Sequence, residues 1–165
     1  MDEPSHGVTP WSLAMALVGI GGALGLVGAL GPWFDVTGWL PTQLFGDELV
    51  AVRTLAGTGD WTGIVALAAG AGMVALVAVA LLFHGSAARH WAPTVSVVFG
   101  LLVLVAAVAA YLRTSSVATG VDFGRIGTVH IRSRGAAGPG LFTSAVGGAL
   151  AGLAGLITRR LTPEM

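Results

Sequence analysis

The chain has 165 residues, 55% of them hydrophobic and 10% charged, and its eight acidic and eight arginine side chains cancel to a net charge of zero. That balance leaves no global field to draw in nucleic acid, and the absence of cysteine removes disulfide frameworks, thiolate metal sites and cysteine nucleophiles together. The apolar residues gather in blocks rather than at the period of an amphipathic helix, so a soluble four-helix bundle would lack its solvent faces.

The N-terminal residues 1–10 carry Asp2 and Glu3 and no basic group, unlike the positive start of a secretory signal. The apolar segment that follows is therefore expected to stay as a membrane helix. Four segments, Trp11–Phe34, Trp61–Phe83, Pro93–Leu112 and Leu141–Thr158, contain no Asp, Glu, Lys, Arg or His. Each is close to the ~20 residues that cross a bilayer as a helix. The expected fold is an all-α membrane protein: one domain over residues 1–165, a bundle of four transmembrane helices with a small β-structured cap from two long loops.

Tryptophan placement agrees with these spans, because indole rings favour the membrane–water interface. Trp11 and Trp91 fall at one interface, Trp33 and Trp61 with Trp39 at the other. Pro32 is expected at the end of the first helix and Pro93 at the start of the third, where a missing amide hydrogen costs little.

Inside the first helix, Gly21, Gly25 and Gly28 follow i, i+4, i+7 spacing, and Gly148, Gly152 and Gly155 repeat it in the fourth. Such faces let backbones approach closely, which helices in lipid need because no hydrophobic force drives them together. They are read as a packing face between helices one and four, and as a face for a partner or a second copy. Leucine at Gly25 and Gly152 is expected to disrupt assembly. The run from Gly19 to Gly25 has the spacing of a dinucleotide fingerprint, but that motif follows a strand and opens a helix, and this run lies in mid-helix.

The loops 35–60 and 113–140 are long and fall on one side, whereas 84–92 is short. In the first loop Leu49–Leu55 is a plausible strand, with Val50, Val52 and Thr54 on one face. In the second, Thr128, His130, Arg132 and Arg134 alternate with Val129, Ile131 and Ser133, the period-two pattern of a strand with a basic face. His130, Arg132 and Arg134 are the candidate contact for phosphate or carboxylate groups of a partner, lipid or wall polymer. Neutralisation by Asp47 and Glu48 across the loop sheet is the ordinary alternative.

No metal or cofactor is expected. His84 and His90 lie on one side and His130 on the other, so no pair can sandwich a haem, and Asp35, Asp47, Glu48 and Asp60 lack the spacing of a calcium loop. Ser115, Ser116, Ser133 and Asp122 near His130 form no recognisable catalytic order.

This layout resembles that of claudin-like and tetraspanin-like proteins. The claudin motif, a Trp followed by Gly-Leu-Trp and two cysteines in the first loop, is absent, so paracellular barrier function is not carried over. A second resemblance is to small bacterial four-helix membrane proteins of unassigned function. In these, helix one ends in a Gly-x-x-Pro-Trp-like turn, here Leu30-Gly31-Pro32-Trp33, and helix four opens with Gly-x-Gly, here Gly138-Pro139-Gly140. That resemblance implies the layout and no activity.

Charge-free spans argue against proton relays and ion paths. The expected function is therefore a non-catalytic accessory or scaffolding subunit of a larger membrane complex in the plasma membrane. Its partners would be the bilayer and a membrane protein or a second copy, with no nucleic acid. Two alternatives belong to other classes. One is a homo-oligomeric pore lined by Thr62, Thr94, Ser96, Tyr111, Thr143 and Ser144. The other is an enzyme acting on a lipid-linked substrate through His130 with Asp122 or Glu48. Arginine counts on the two sides, Arg89, Arg159 and Arg160 against Arg53, Arg113, Arg125, Arg132 and Arg134, favour cytoplasmic long loops when taken literally. Both termini are nevertheless expected in the cytoplasm, because the short-loop arginines directly flank helices.

Overall fold

The computed structural model describes residues 9–42, 46–82, 86–114, 120–122, 128–130 and 132–161. Four α-helices, α1 (Pro10–Leu30), α2 (Trp61–Leu82), α3 (Ser86–Arg113) and α4 (Pro139–Leu161), are each long and apolar enough to cross a membrane. They stand in a ring in chain order, with α1 and α3 on one diagonal and α2 and α4 on the other. Neighbours run antiparallel: Gly21 lies against Gly147 and Ala151 of α4, whereas Gly28, one face-repeat later, lies against Gly140 and Ser144.

The side chains are sorted in the reverse of a water-soluble bundle. Small residues fill the interior, among them Ala14, Ala66, Ala69, Ala106, Ala110, Ala151 and Ala154, with Val18, Met15, Met73 and Val103 between them. Large aliphatics point out, including Leu13, Ile20, Val27, Ile64, Leu101, Val105, Leu153 and Ile157, and Leu82 is 76% exposed. Small residues inside allow close backbone approach, and aliphatics outside suit a hydrocarbon solvent.

Helix α1 begins with Thr9 as its cap, whose hydroxyl oxygen accepts from the Ser12 amide at 3.3 Å, and with Pro10 in the first turn. It ends at Leu30, not Phe34. Pro32 forces the residue before it out of the helical region, and Gly31 is extended at φ −78°, ψ 178°. Pro93 is likewise not at a helix start: α3 begins at Ser86 and carries Pro93 fully buried inside. The ring lacks the amide that would bond the carbonyl of Arg89, but its own carbonyl is used, accepting from the Ser96 hydroxyl at 2.8 Å.

A cap joins the two long connections. Strand β1 (Pro32–Thr42) leaves α1, pairs antiparallel with β2 (Gly46–Ala56), and pairs on its other side with β5 (Arg132–Ala137), which leads into α4. A separate two-stranded sheet pairs β3 (Gly120–Asp122) with β4 (Thr128–His130). The segment expected as one basic strand is therefore two: His130 belongs to one sheet, Arg132 and Arg134 to another, and Ile131 between them lies outside the described residues. Val50 is skipped in the pairing of β2 with β1, which breaks the expected alternation of Val50 with Val52 and Thr54.

Candidate functional site

Helix α4 carries two small-residue faces, one for each neighbour. Towards α1 it presents Gly140, Ser144, Gly147 and Ala151. A Cβ at Gly147 would stand 2.7 Å from the amide of Gly25, and one at Gly21 would stand 2.6 Å from the carbonyl of Gly147. Towards α3 it presents Gly148 and Gly155: a Cβ at Gly148 would meet the Gly100 carbonyl at 2.8 Å, and one at Gly155 would meet the Pro93 carbonyl, also at 2.8 Å.

The expected triplet Gly148, Gly152 and Gly155 thus turns towards α3 rather than α1. A single-residue offset rotates a helical position by ~100°, and the face that meets α1 is the set beginning at Gly140. Its spacing of four, three and four was present in the sequence and was masked by the serine and alanine within it. Gly25 faces α2 with room to spare, its Cβ position lying 3.6 Å from Gly70 Cα, and a Cβ at Gly152 would meet nothing within 4 Å. Gly21 and Gly28 are therefore the tight positions of the α1 face. The Ser144 hydroxyl crosses the seam, donating to the Gly25 carbonyl at 3.3 Å.

At the end of the bundle that bears the cap, the chain crosses itself around Trp33. This indole is not an interfacial anchor: it is 0% exposed, and its Nε1 donates to the Gly28 carbonyl at 2.8 Å. Trp33 is skipped in the pairing of β1 with β2, an irregularity that allows both Trp33 and Phe34 to be buried although adjacent strand residues normally face opposite ways. Glycines make room for the ring and the strands. A Cβ at Gly57 would lie 2.6 Å from Trp33 Nε1, and one at Gly138 would lie 2.5 Å from the Pro32 carbonyl. Backbone bonds close the crossing, from the Gly57 amide to the Gly31 carbonyl at 3.1 Å and from the Gly138 amide to the Trp33 carbonyl at 2.8 Å. The tryptophan belt rule pointed to the right end of the helix for the wrong reason.

Beside this collar, Asp60 opens α2. Its backbone carbonyl accepts from the amides of Gly63 and Ile64, and its Oδ2 accepts from the buried Thr62 hydroxyl at 2.6 Å. Arg113, at the end of α3, lies 3.9 Å from Asp60 Oδ1 and 5.1 Å from the centroid of the Trp61 ring. The long, half-exposed ion pair contributes little, whereas the carboxylate holds the first turn of α2. Asp60→Ala is expected to lower stability by about 1 kcal/mol and Arg113→Gln by less than ~0.5 kcal/mol, read by thermal unfolding in detergent.

In the cap, the strand register sets Arg132 opposite Trp39 and Arg134 opposite Thr37. Asp47 and Glu48 lie on β2, across β1 from that strand, so two strand spacings of about 10 Å separate the acidic strand from the basic one. The direct cross-strand neighbours expected to neutralise the arginines are instead Thr37 and Trp39. Asp122 stands opposite Thr128, and His130 opposite Gly120, which makes Asp122 and His130 diagonal neighbours about 7–8 Å apart on one face of the small sheet. Glu48 belongs to the other sheet. Ser115, Ser116 and His84 lie outside the described residues. Among the described residues no three of His, Asp, Glu and Cys come together as metal ligands would.

The chain matches no protein-family model and no curated protein. Function must be argued from what this geometry offers: an uncharged bundle, a rigid glycine collar and a strand cap.

Proposed function

We propose that this chain is a multi-pass integral membrane protein with no chemistry of its own, an accessory or scaffolding subunit of a larger complex in the plasma membrane, with both termini in the cytoplasm. The observation that carries the reading is the sorting of side chains, alanine and glycine inward and leucine, isoleucine and valine outward, which a bilayer accepts and water does not. The interior is also chemically closed. Its buried polar side chains are Thr62, Ser96, Ser144 and Thr158, each hydrogen-bonded within the chain, and among the described residues no buried side-chain polar atom lacks a partner. What remains for recognition is the outer helix surface and the strand cap.

The same observation weighs against the pore. Three of its six lining residues, Thr62, Ser96 and Ser144, are buried and bonded inside a single chain, leaving Thr94, Tyr111 and Thr143 near helix ends. The middle of any passage between copies would be apolar.

The test is to extract tagged protein from its native membrane in mild detergent, identify stoichiometric companions by mass spectrometry and measure the native mass. A stoichiometric membrane protein is the expected result. Partner-free protein that conducts solute in proteoliposomes would overturn the scaffold reading in favour of the pore.

A further inference from the structure

The outer surface has one place where a ridge and a hollow stand side by side. Phe142, in the first turn of α4, is 53% exposed. On one flank lies an apolar groove of about 230 Å³ between α3 and α4, whose lining includes Ala107, Val108, Tyr111 and Ala145 and presents no polar area. On the other lies a groove of about 330 Å³ between α1 and α4, lined by Leu24, Thr143 and Val146. The one hydroxyl in the second groove is already committed, since Thr143 donates to the Pro139 carbonyl at 2.9 Å. Neither groove offers a hydrogen-bonding group to a polar ligand.

We propose that this surface pairs two copies of the chain, each seating its Phe142 ring in the α3/α4 groove of the other. The inference rests on the bilayer reading above. Copies inserted in the same sense form a closed pair only about an axis along the membrane normal, and rotation about that axis leaves depth unchanged. Phe142 lines the very groove it is to fill, so in the second copy that groove lies at the level of the incoming ring without tilt or shift. The contact is isologous, and both rings are covered at once. Ala107 and Ala145 provide the small flanks that let a ring approach the helix backbones. A lipid chain could occupy one hollow, but it would leave the adjacent ridge uncovered and would lose conformational freedom that a fixed ring has already lost.

Because the chain has no cysteine, a single introduced thiol reports unambiguously. Two differently tagged variants, Phe142→Cys and Val108→Cys, would be co-reconstituted into phosphatidylcholine nanodiscs large enough for two copies and mildly oxidised. The expected result is a disulfide-linked product bearing both tags, with none when Leu82→Cys on α2 replaces Phe142→Cys. Native mass of the unmodified protein should show two chains, and Phe142→Ala should weaken pairing at least about tenfold while leaving the helical content and thermal unfolding of the single chain unchanged. A single-chain mass with a retained phospholipid, and no doubly tagged product, would overturn the pairing while leaving the bilayer reading intact. Failure to enter nanodiscs at all would overturn both.

Discussion

Gly28→Leu is expected to remove the folded bundle from detergent extracts. Even the first atom of a side chain has no space there: a Cβ would lie 2.6 Å from the carbonyl of Gly140 and 2.5 Å from the amide of Ser144. Both are backbone atoms of the facing helix and cannot rotate away. Relief requires α1 and α4 to separate along the seam that also holds Gly21 against Gly147 and Ala151. Overpacking in a tight core costs ~1–3 kcal/mol, and a whole leucine at such a contact lies at or beyond the upper end. Gly152→Ala is the counterpart. Its added methyl meets open space, so the helix gains propensity without a clash, and stability should hold or rise by up to ~1 kcal/mol. Denaturation in a graded mixture of mild and harsh detergent, followed by circular dichroism, reads both. Equal tolerance at the two positions would show that the α1/α4 seam is looser than described.

The second large effect is expected at Trp33. Trp33→Ala empties a fully enclosed indole site and removes the donor to the Gly28 carbonyl, a loss of ~3–5 kcal/mol. Trp33→Phe should be milder, about 1 kcal/mol, because the ring is mostly replaced and the Gly28 carbonyl still accepts from the Gly31 amide at 3.1 Å. The discriminating readout is the cap: Trp33→Ala should expose the neighbouring strands to proteolysis before the helices unfold. Simultaneous loss of cap and helices would mean that the collar is part of the bundle's own core.

The four helices were legible because charge is excluded from long runs, a constraint strong enough to survive without knowledge of packing. Their ends were less so. Pro32, Trp33 and Phe34 continue the apolar run of α1, and hydropathy cannot tell a last helical turn from a buried strand start. Strand β1 was hidden by Pro32, Gly38 and Pro41, residues that argue against a central strand. It is central nonetheless, and its prolines lie at its first residue and next to its last. The glycine spacings pointed to close helix contacts but not to which neighbour each face meets, since that depends on how α4 is rotated in the ring. The basic alternation from Thr128 to Arg134 was real as a pattern, yet a pattern cannot show that the chain changes sheets between His130 and Arg132.

Around Trp33 three of the four helices pass into strands: α1 into β1 through Gly31, β2 into α2 through the short turn Gly57–Gly59, and β5 into α4 through Gly138. Each passage is fixed by backbone bonds rather than by a slack linker, so the cap is geared to the helices beneath it. A torque applied to the strands would turn α1, α2 and α4 together, and α3 would be the element against which that turning is felt.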